Sequence, residues 1–133
     1  MGFDMRKCIL LVDDEQLLLD SMQRILKIFK TGYKVLTTTN SFEVPRMIGE
    51  SAVDILVTDI FMPDKDGLEL IKEVRKKYPL VKIIAMSGGG GSGKEEYLDM
   101  AKRFGSSYSL TKPFSSDELI SALKKVVGNE ETC

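Results

Sequence analysis

The sequence predicts an α/β fold: a doubly wound sheet of five parallel strands in the order 2-1-3-4-5, with five helices covering it. Three observations predict it. Short apolar runs alternate along the chain with stripes of apolar residues at helical spacing. Three of those runs are nearly continuous in Val, Ile and Leu, the pattern of strands covered on both faces. Four of them end at residues able to handle phosphate or metal: Val12 before Asp13 and Asp14, Thr58 before Asp59, Met86 before Ser87, and Thr111 before Lys112 and Pro113.

The first strand is expected over Lys7–Val12. The first helix follows, its stripe made of Leu18, Met22, Ile25, Leu26 and Phe29. The second strand takes Lys34–Thr38, and a helix of roughly Phe42–Glu50 comes next. Pro45, placed just after that helix's first turn, removes a donor and can bend it. The third strand is Ile55–Thr58. Asp66-x-x-Glu69 then signals a helix start, with Leu70, Ile71, Val74 and Tyr78 as the buried stripe. The fourth strand is Lys82–Met86, with Ser92-x-x-Glu95 opening the fourth helix. The fifth strand is roughly Tyr108–Thr111, and Ser115-x-x-Glu118 opens a last helix striped by Leu119, Ile120, Leu123 and Val127. No internal repeat is present. The one biased segment is the glycine-rich run from Gly88 to Gly93.

A chain of 133 residues, 43% hydrophobic and 29% charged, suits one compact domain over 1–133 with an ordered core of about 5–128. Its net charge of -1 gives no drive toward nucleic acid, so no direct nucleic-acid binding is expected. No apolar stretch is long enough for a membrane span, and Met1-Gly2-Phe3-Asp4 does not open like a signal peptide. The expected compartment is the cytoplasm, with no membrane insertion. Cys8 falls in an apolar run and Cys133 ends the chain, so no structural disulfide is expected. Histidine is absent, which excludes a histidine nucleophile, base or metal ligand within the chain.

In the order 2-1-3-4-5 the binding crevice lies between strands 1 and 3, at their carboxyl ends. Asp13 and Asp14 follow strand 1 and Asp59 follows strand 3. Three carboxylates close together repel one another and call for a hard cation such as Mg²⁺. Lys112 and Ser87, from the ends of strands 5 and 4, add a compact cation and a hydroxyl donor for phosphate oxygens. Phosphoryl transfer needs positioning and charge neutralisation, and these residues supply both. Singly, each has a plainer reading. Asp13, Asp14 and Glu15 suit a helix start, Asp59 a solvated turn, Lys112 a surface charge and Ser87 a loop hydroxyl. Their coincidence at one sheet edge favours a site.

These residues resemble the receiver domain of two-component response regulators, which shares the flavodoxin-like sheet. The resemblance spans essentially the whole chain. It rests on Leu11-Val12-Asp13-Asp14-Glu15, on the segment from Thr58 to Gly67, on Ser87-Gly88 and on Lys112-Pro113-Phe114. It implies that Asp59 is the phosphoacceptor, and that Asp14, Asp59 and the Phe61 backbone carbonyl bind Mg²⁺, with Asp13 acting through water. It further implies that Lys112 grips the phosphoryl group beside a cis peptide before Pro113. Ser87 is then the switch hydroxyl, and Gly88 the small residue that leaves room for phosphate. The phosphoryl donor would be a sensor histidine kinase or a histidine phosphotransfer protein, and the output a downstream protein target reached through the face of helix 4, strand 5 and helix 5. The chain would be a stand-alone signalling phosphoacceptor rather than an enzyme. Phe61 and Gly89 offer no polar side chain to orient water, so loss of the phosphoryl group should be slow.

Two positions depart from the family pattern. Ser109 stands where an aromatic switch is usual, while Tyr108 precedes it by one, and one step along a strand reverses the face unless a bulge intervenes. The glycines after Ser87 predict a loop that phosphorylation orders. Two rival readings remain. One is a phosphate-independent binding module that keeps the fold. The other is a P-loop nucleotide binder through Gly88–Lys94, which fails at the next residue: Glu95 stands where Ser or Thr is needed.

Overall fold

The computed structural model describes residues 6–62, 66–88 and 94–131. The Ser92/Glu95 cap, the turn at Pro63 and most of the Gly88–Lys94 motif lie outside the described residues. So does Cys133.

Five parallel strands form one sheet in the order β2-β1-β3-β4-β5. They are β1 (Cys8–Val12), β2 (Lys34–Thr38), β3 (Ile55–Asp59), β4 (Lys82–Ser87) and β5 (Tyr108–Thr111). Between and after them run α1 (Gln16–Ile28), α2 (Val44–Ser51), α3 (Gly67–Lys77), α4 (Lys94–Phe104) and α5 (Ser116–Glu131). The sequence expectation of fold and strand order holds. Strands β2 and β5 match the expected bounds and β1, β3 and β4 each differ by one residue at one end, with Asp59 and Ser87 lying inside the ladder rather than beyond it.

The alternation of strand side chains builds two cores. Leu10, Val12, Leu56, Ile83 and Ala85 pack under α2, α3 and α4 with Val44, Ile48, Leu70, Ile71 and Val74. Ile9, Leu11, Ile55, Val57, Ile84, Met86 and Leu110 pack under α1 and α5 with Met22, Leu26, Leu119 and Leu123. The Cys8 side chain is buried in the first of these cores.

Two helices depart from expectation. In α1 the buried residues are Leu19, Met22 and Leu26, whereas Leu18 and Ile25 are half-buried and Phe29 is exposed at the helix end. Three successive leucines allow the stripe to sit one residue later. In α2 the chain first makes a 3₁₀ turn over Ser41–Glu43, and the α-helix starts at Val44 with Pro45 in its first turn. The missing Pro45 N–H is thus among the donors that no helix satisfies internally, and the ring interrupts nothing.

The caps follow the sequence. Asp66 accepts from Leu68 N at 3.0 Å. Ser115 and Glu118 form a reciprocal capping box, Glu118 N donating to Ser115 Oγ at 3.1 Å and Ser115 N to Glu118 Oε1 at 3.0 Å. Among the described residues no helix is long and apolar enough to cross a membrane.

Candidate functional site

The carboxyl ends of β1, β3, β4 and β5 meet at one rim. Asp13, fully buried, follows β1 and uses its two oxygens differently. Oδ1 accepts from Glu15 N at 2.9 Å, which turns the chain into α1, and Oδ2 receives the Lys112 ammonium at 2.5 Å. Glu15 occupies the N-cap position of α1 and makes no side-chain cap bond, so capping by Glu15 does not account for the acidic run. Asp14 is exposed at the mouth.

Asp59, 4% exposed, ends β3. Its Oδ1 accepts from Phe61 N at 3.2 Å and its Oδ2 lies 3.4 Å from Lys112 Nζ. Oxygens of Asp13, Asp14 and Asp59 all lie within 4.8 Å of one another, a donor set of hard carboxylate oxygens suited to a divalent cation. Burial pushes the Asp59 carboxyl above its usual range. The Phe61 amide and the Lys112 charge oppose the shift, and the Asp13 charge adds to it. For Lys112 burial acts to lower the pKa, but the hydrogen bond it donates to Asp13 and the charges of Asp59 and Asp13 prevail and hold the ammonium above the ordinary lysine value.

Lys112 reaches this rim because β5 pairs with β4 to its last residue, Ser87 opposite Thr111, and Lys112 N then donates to Ser87 O at 2.7 Å. The Lys112–Pro113 peptide is cis. Ser87 is fully buried, and its Oγ has no hydrogen-bond partner among the described residues. Buried hydroxyls favour a hydrogen-bond partner, and this one stands at the rim that Asp59 and Lys112 share. A Cβ built on Gly88 meets nothing within 4 Å among the described residues.

Three features escaped the sequence reading. Gly67 opens α3 so close to the loop after β3 that a Cβ there would fall within 3.0 Å of Ile60 and Asp59 backbone atoms. Its only signal is a glycine directly after the Asp66 cap. The Phe61 ring meets the Tyr97 ring of α4 edge-on, with centroids 4.8 Å apart, a pairing that spacing does not announce. The third is Thr58, also buried, whose hydroxyl donates to Asp59 O at 3.1 Å.

A family model described as response regulator receiver domain matches residues 9–124. The chain belongs to the receiver domain family. A relative in Bacillus subtilis, named as the uncharacterized transcriptional regulatory protein YesN, is 36% identical over 120 residues, which are 90% of this chain and 32% of that protein. The chain therefore spans about a third of that relative's length. A CheY-like receiver domain structure from Methanospirillum hungatei superposes with a TM-score of 0.84 at 28% identity, covering 95% of this chain and 97% of that one. A receiver domain from Clostridium thermocellum gives 0.83 at 28% identity, covering 94% and 97%. Receiver domains are signalling modules that typically bind Mg²⁺ at an acidic pocket, and this receiver carries such a pocket in Asp13, Asp14 and Asp59.

The ladder between β4 and β5 is unbroken, pairing Ile84 with Tyr108, Ala85 with Ser109 and Met86 with Leu110. No bulge shifts the register. Tyr108 is half-buried against the α1 and α5 core, with the Lys125 ammonium 5.7 Å from its ring centroid. It is therefore neither a ring on the Ser87 face nor an outward surface residue.

Proposed function

We propose that this receiver takes a phosphoryl group from a phosphohistidine of a sensor histidine kinase or histidine phosphotransfer protein onto Asp59, and that the modified form changes its contacts with a downstream protein. In this step an Asp59 carboxylate oxygen forms a bond to phosphorus while the bond from phosphorus to the donor's imidazole nitrogen breaks. The imidazole leaves with its electron pair and later takes a proton from solvent. Lys112 neutralises phosphoryl oxygens, and the buried Ser87 hydroxyl can donate to one of them. Asp14, Asp59 and the Phe61 carbonyl would hold Mg²⁺, with Asp13 acting through water. Bound there, Mg²⁺ supplies positive charge that offsets the carboxylates and the incoming phosphoryl group.

The observation that carries this reading is one ammonium placed against two buried carboxylates from different strands, 2.5 Å from Asp13 and 3.4 Å from Asp59. A groove of about 510 Å³ is lined by Lys112 together with Leu18 and Ile25 of α1, Pro113 and Phe114. Its apolar wall next to Lys112 suits a helix of the phosphodonor.

Intact mass spectrometry after incubation with Mg²⁺ and a small acyl phosphate tests the proposal. One added phosphoryl group is expected, absent from Asp59→Asn and from a chelated sample. No modification despite intact Mg²⁺ binding would instead favour a phosphate-independent binding module.

A further inference from the structure

Phe61 touches both the acceptor and α4. Its backbone amide donates to Asp59 Oδ1 at 3.2 Å, and its ring packs edge-on to Tyr97 in the first turn of α4, at an interplanar angle of 69°. The residue before it is fixed from two sides. Ile60 N donates to Met86 O at 3.0 Å, and Ile60 O accepts from Gly67 N at 3.2 Å. Phe61 is thus the first residue beyond the acceptor whose ring leaves the core; it is 46% exposed and Tyr97 is 41% exposed.

Helix α4 is held unevenly. At its C-terminal end Arg75 of α3 clamps the Gly105 carbonyl through Nε at 3.2 Å and Nη2 at 2.8 Å. Along its length Ala101 is the α4 residue that sits fully in the core among those described, with Leu98 and Phe104 packed against it. The Arg75 clamp thus holds the C-terminal end of α4, while near the other end Tyr97 meets Phe61. No ring on β5 serves this purpose, because Tyr108 and Leu110 occupy the α5 face and leave the opposite face to Ser109 and Thr111.

We propose that the Phe61–Tyr97 contact carries the state of Asp59 to α4, taking the part that an aromatic residue on β5 cannot play in this chain. The proposal rests on Asp59 being the acceptor. Phosphorylation turns the carboxylate into a mixed anhydride whose negative charge lies on the phosphoryl oxygens, so the charge-assisted bond from the Phe61 amide to Oδ1 weakens and phosphoryl oxygens compete for that donor. The Phe61 backbone turns, the ring pair opens or shifts, and the first turn of α4 follows.

Hydrogen exchange of the whole chain, with and without Mg²⁺ and a small acyl phosphate, tests this when intact mass is read from the same samples. Wild type should be modified and should change its exchange across 97–104. Tyr97→Ala should be modified to the same extent, with that change reduced at least about twofold, the scale an aromatic pair supports. Tyr97→Phe should restore it, and Tyr97→Gln offers a second ringless variant should alanine perturb folding. Modified Tyr97→Ala or Tyr97→Gln with the full wild-type change, or modified wild type with none, would overturn the link and leave the acceptor reading intact. Unmodified wild type would overturn both.

Discussion

The Lys112 ammonium lies 2.5 Å from Oδ2 of Asp13, a carboxylate wholly removed from solvent, across 99 residues of chain. This pair ties the end of β5 to the end of β1 without a shared ladder, since β3 and β4 stand between them. Replacing Lys112 by Met should leave Asp13 and Asp59 facing each other uncompensated. A loss of about 2–3 kcal/mol is expected in metal-free urea melts, below the full cost of breaking a buried pair because the Lys112 side chain keeps 19% of its surface in solvent. Added Mg²⁺ should recover part of it.

The Lys112 pKa also sets an alkaline limit. Because its folded value is raised, the stabilisation is fully present below the ordinary lysine range and is lost as pH rises through the folded value. Wild type should therefore lose stability in that window, and Lys112→Met should show a flatter slope there.

Asp59 has the same sign of pH dependence in a lower window. Its raised pKa means that the stabilising form is the protonated one, present at acid pH and lost as pH rises through the folded value. At neutral pH the metal-free protein holds a costly buried charge. Asp59→Asn should then be more stable by about 1 kcal/mol without metal, the advantage closing as pH falls. Mg²⁺ should reverse the ranking, stabilising wild type by about 2.7 kcal/mol at a hundredfold excess over its dissociation constant and the variant by much less. Thermal melts at two pH values with and without Mg²⁺ check both statements.

Gly67→Ala tests the packing beneath the acceptor loop. The added carbon would press on Ile60 and Asp59 backbone atoms, which cannot yield as a side-chain end can. A loss of about 1–3 kcal/mol is expected, together with slower modification by acyl phosphate.

Phe61 offers no polar atom on its side chain to orient an attacking water, so the acyl phosphate should persist. Phe61→Asn should shorten its lifetime by roughly tenfold, less than a fully positioned base contributes because an amide only orients water. A wild-type half-life of seconds, followed by intact mass after removal of the donor, would contradict this.

The strand order and the convergence of Asp13, Asp14 and Asp59 were legible because continuous apolar runs mark covered strands, and a doubly wound order fixes which strand ends are neighbours. Helix phase was not. Leu17, Leu18 and Leu19 are equal in hydrophobicity, and only packing against the sheet selects Leu19 for the core. The α2 start was misplaced because a 3₁₀ turn precedes the helix, leaving Pro45 where a missing donor costs nothing. Tyr97 carried no signal at all, since its partner sits on a loop after a different strand.

The most direct test of the acceptor is chemical trapping. Borohydride reduces an aspartyl phosphate to homoserine, so the chain would be treated with Mg²⁺ and acyl phosphate, reduced, digested and sequenced by mass spectrometry. Homoserine at position 59 alone, lost when Mg²⁺ is chelated, is the predicted result. Homoserine at position 13 or 14, or a stable phosphate ester on Ser87 with Asp59 untouched, would contradict the account.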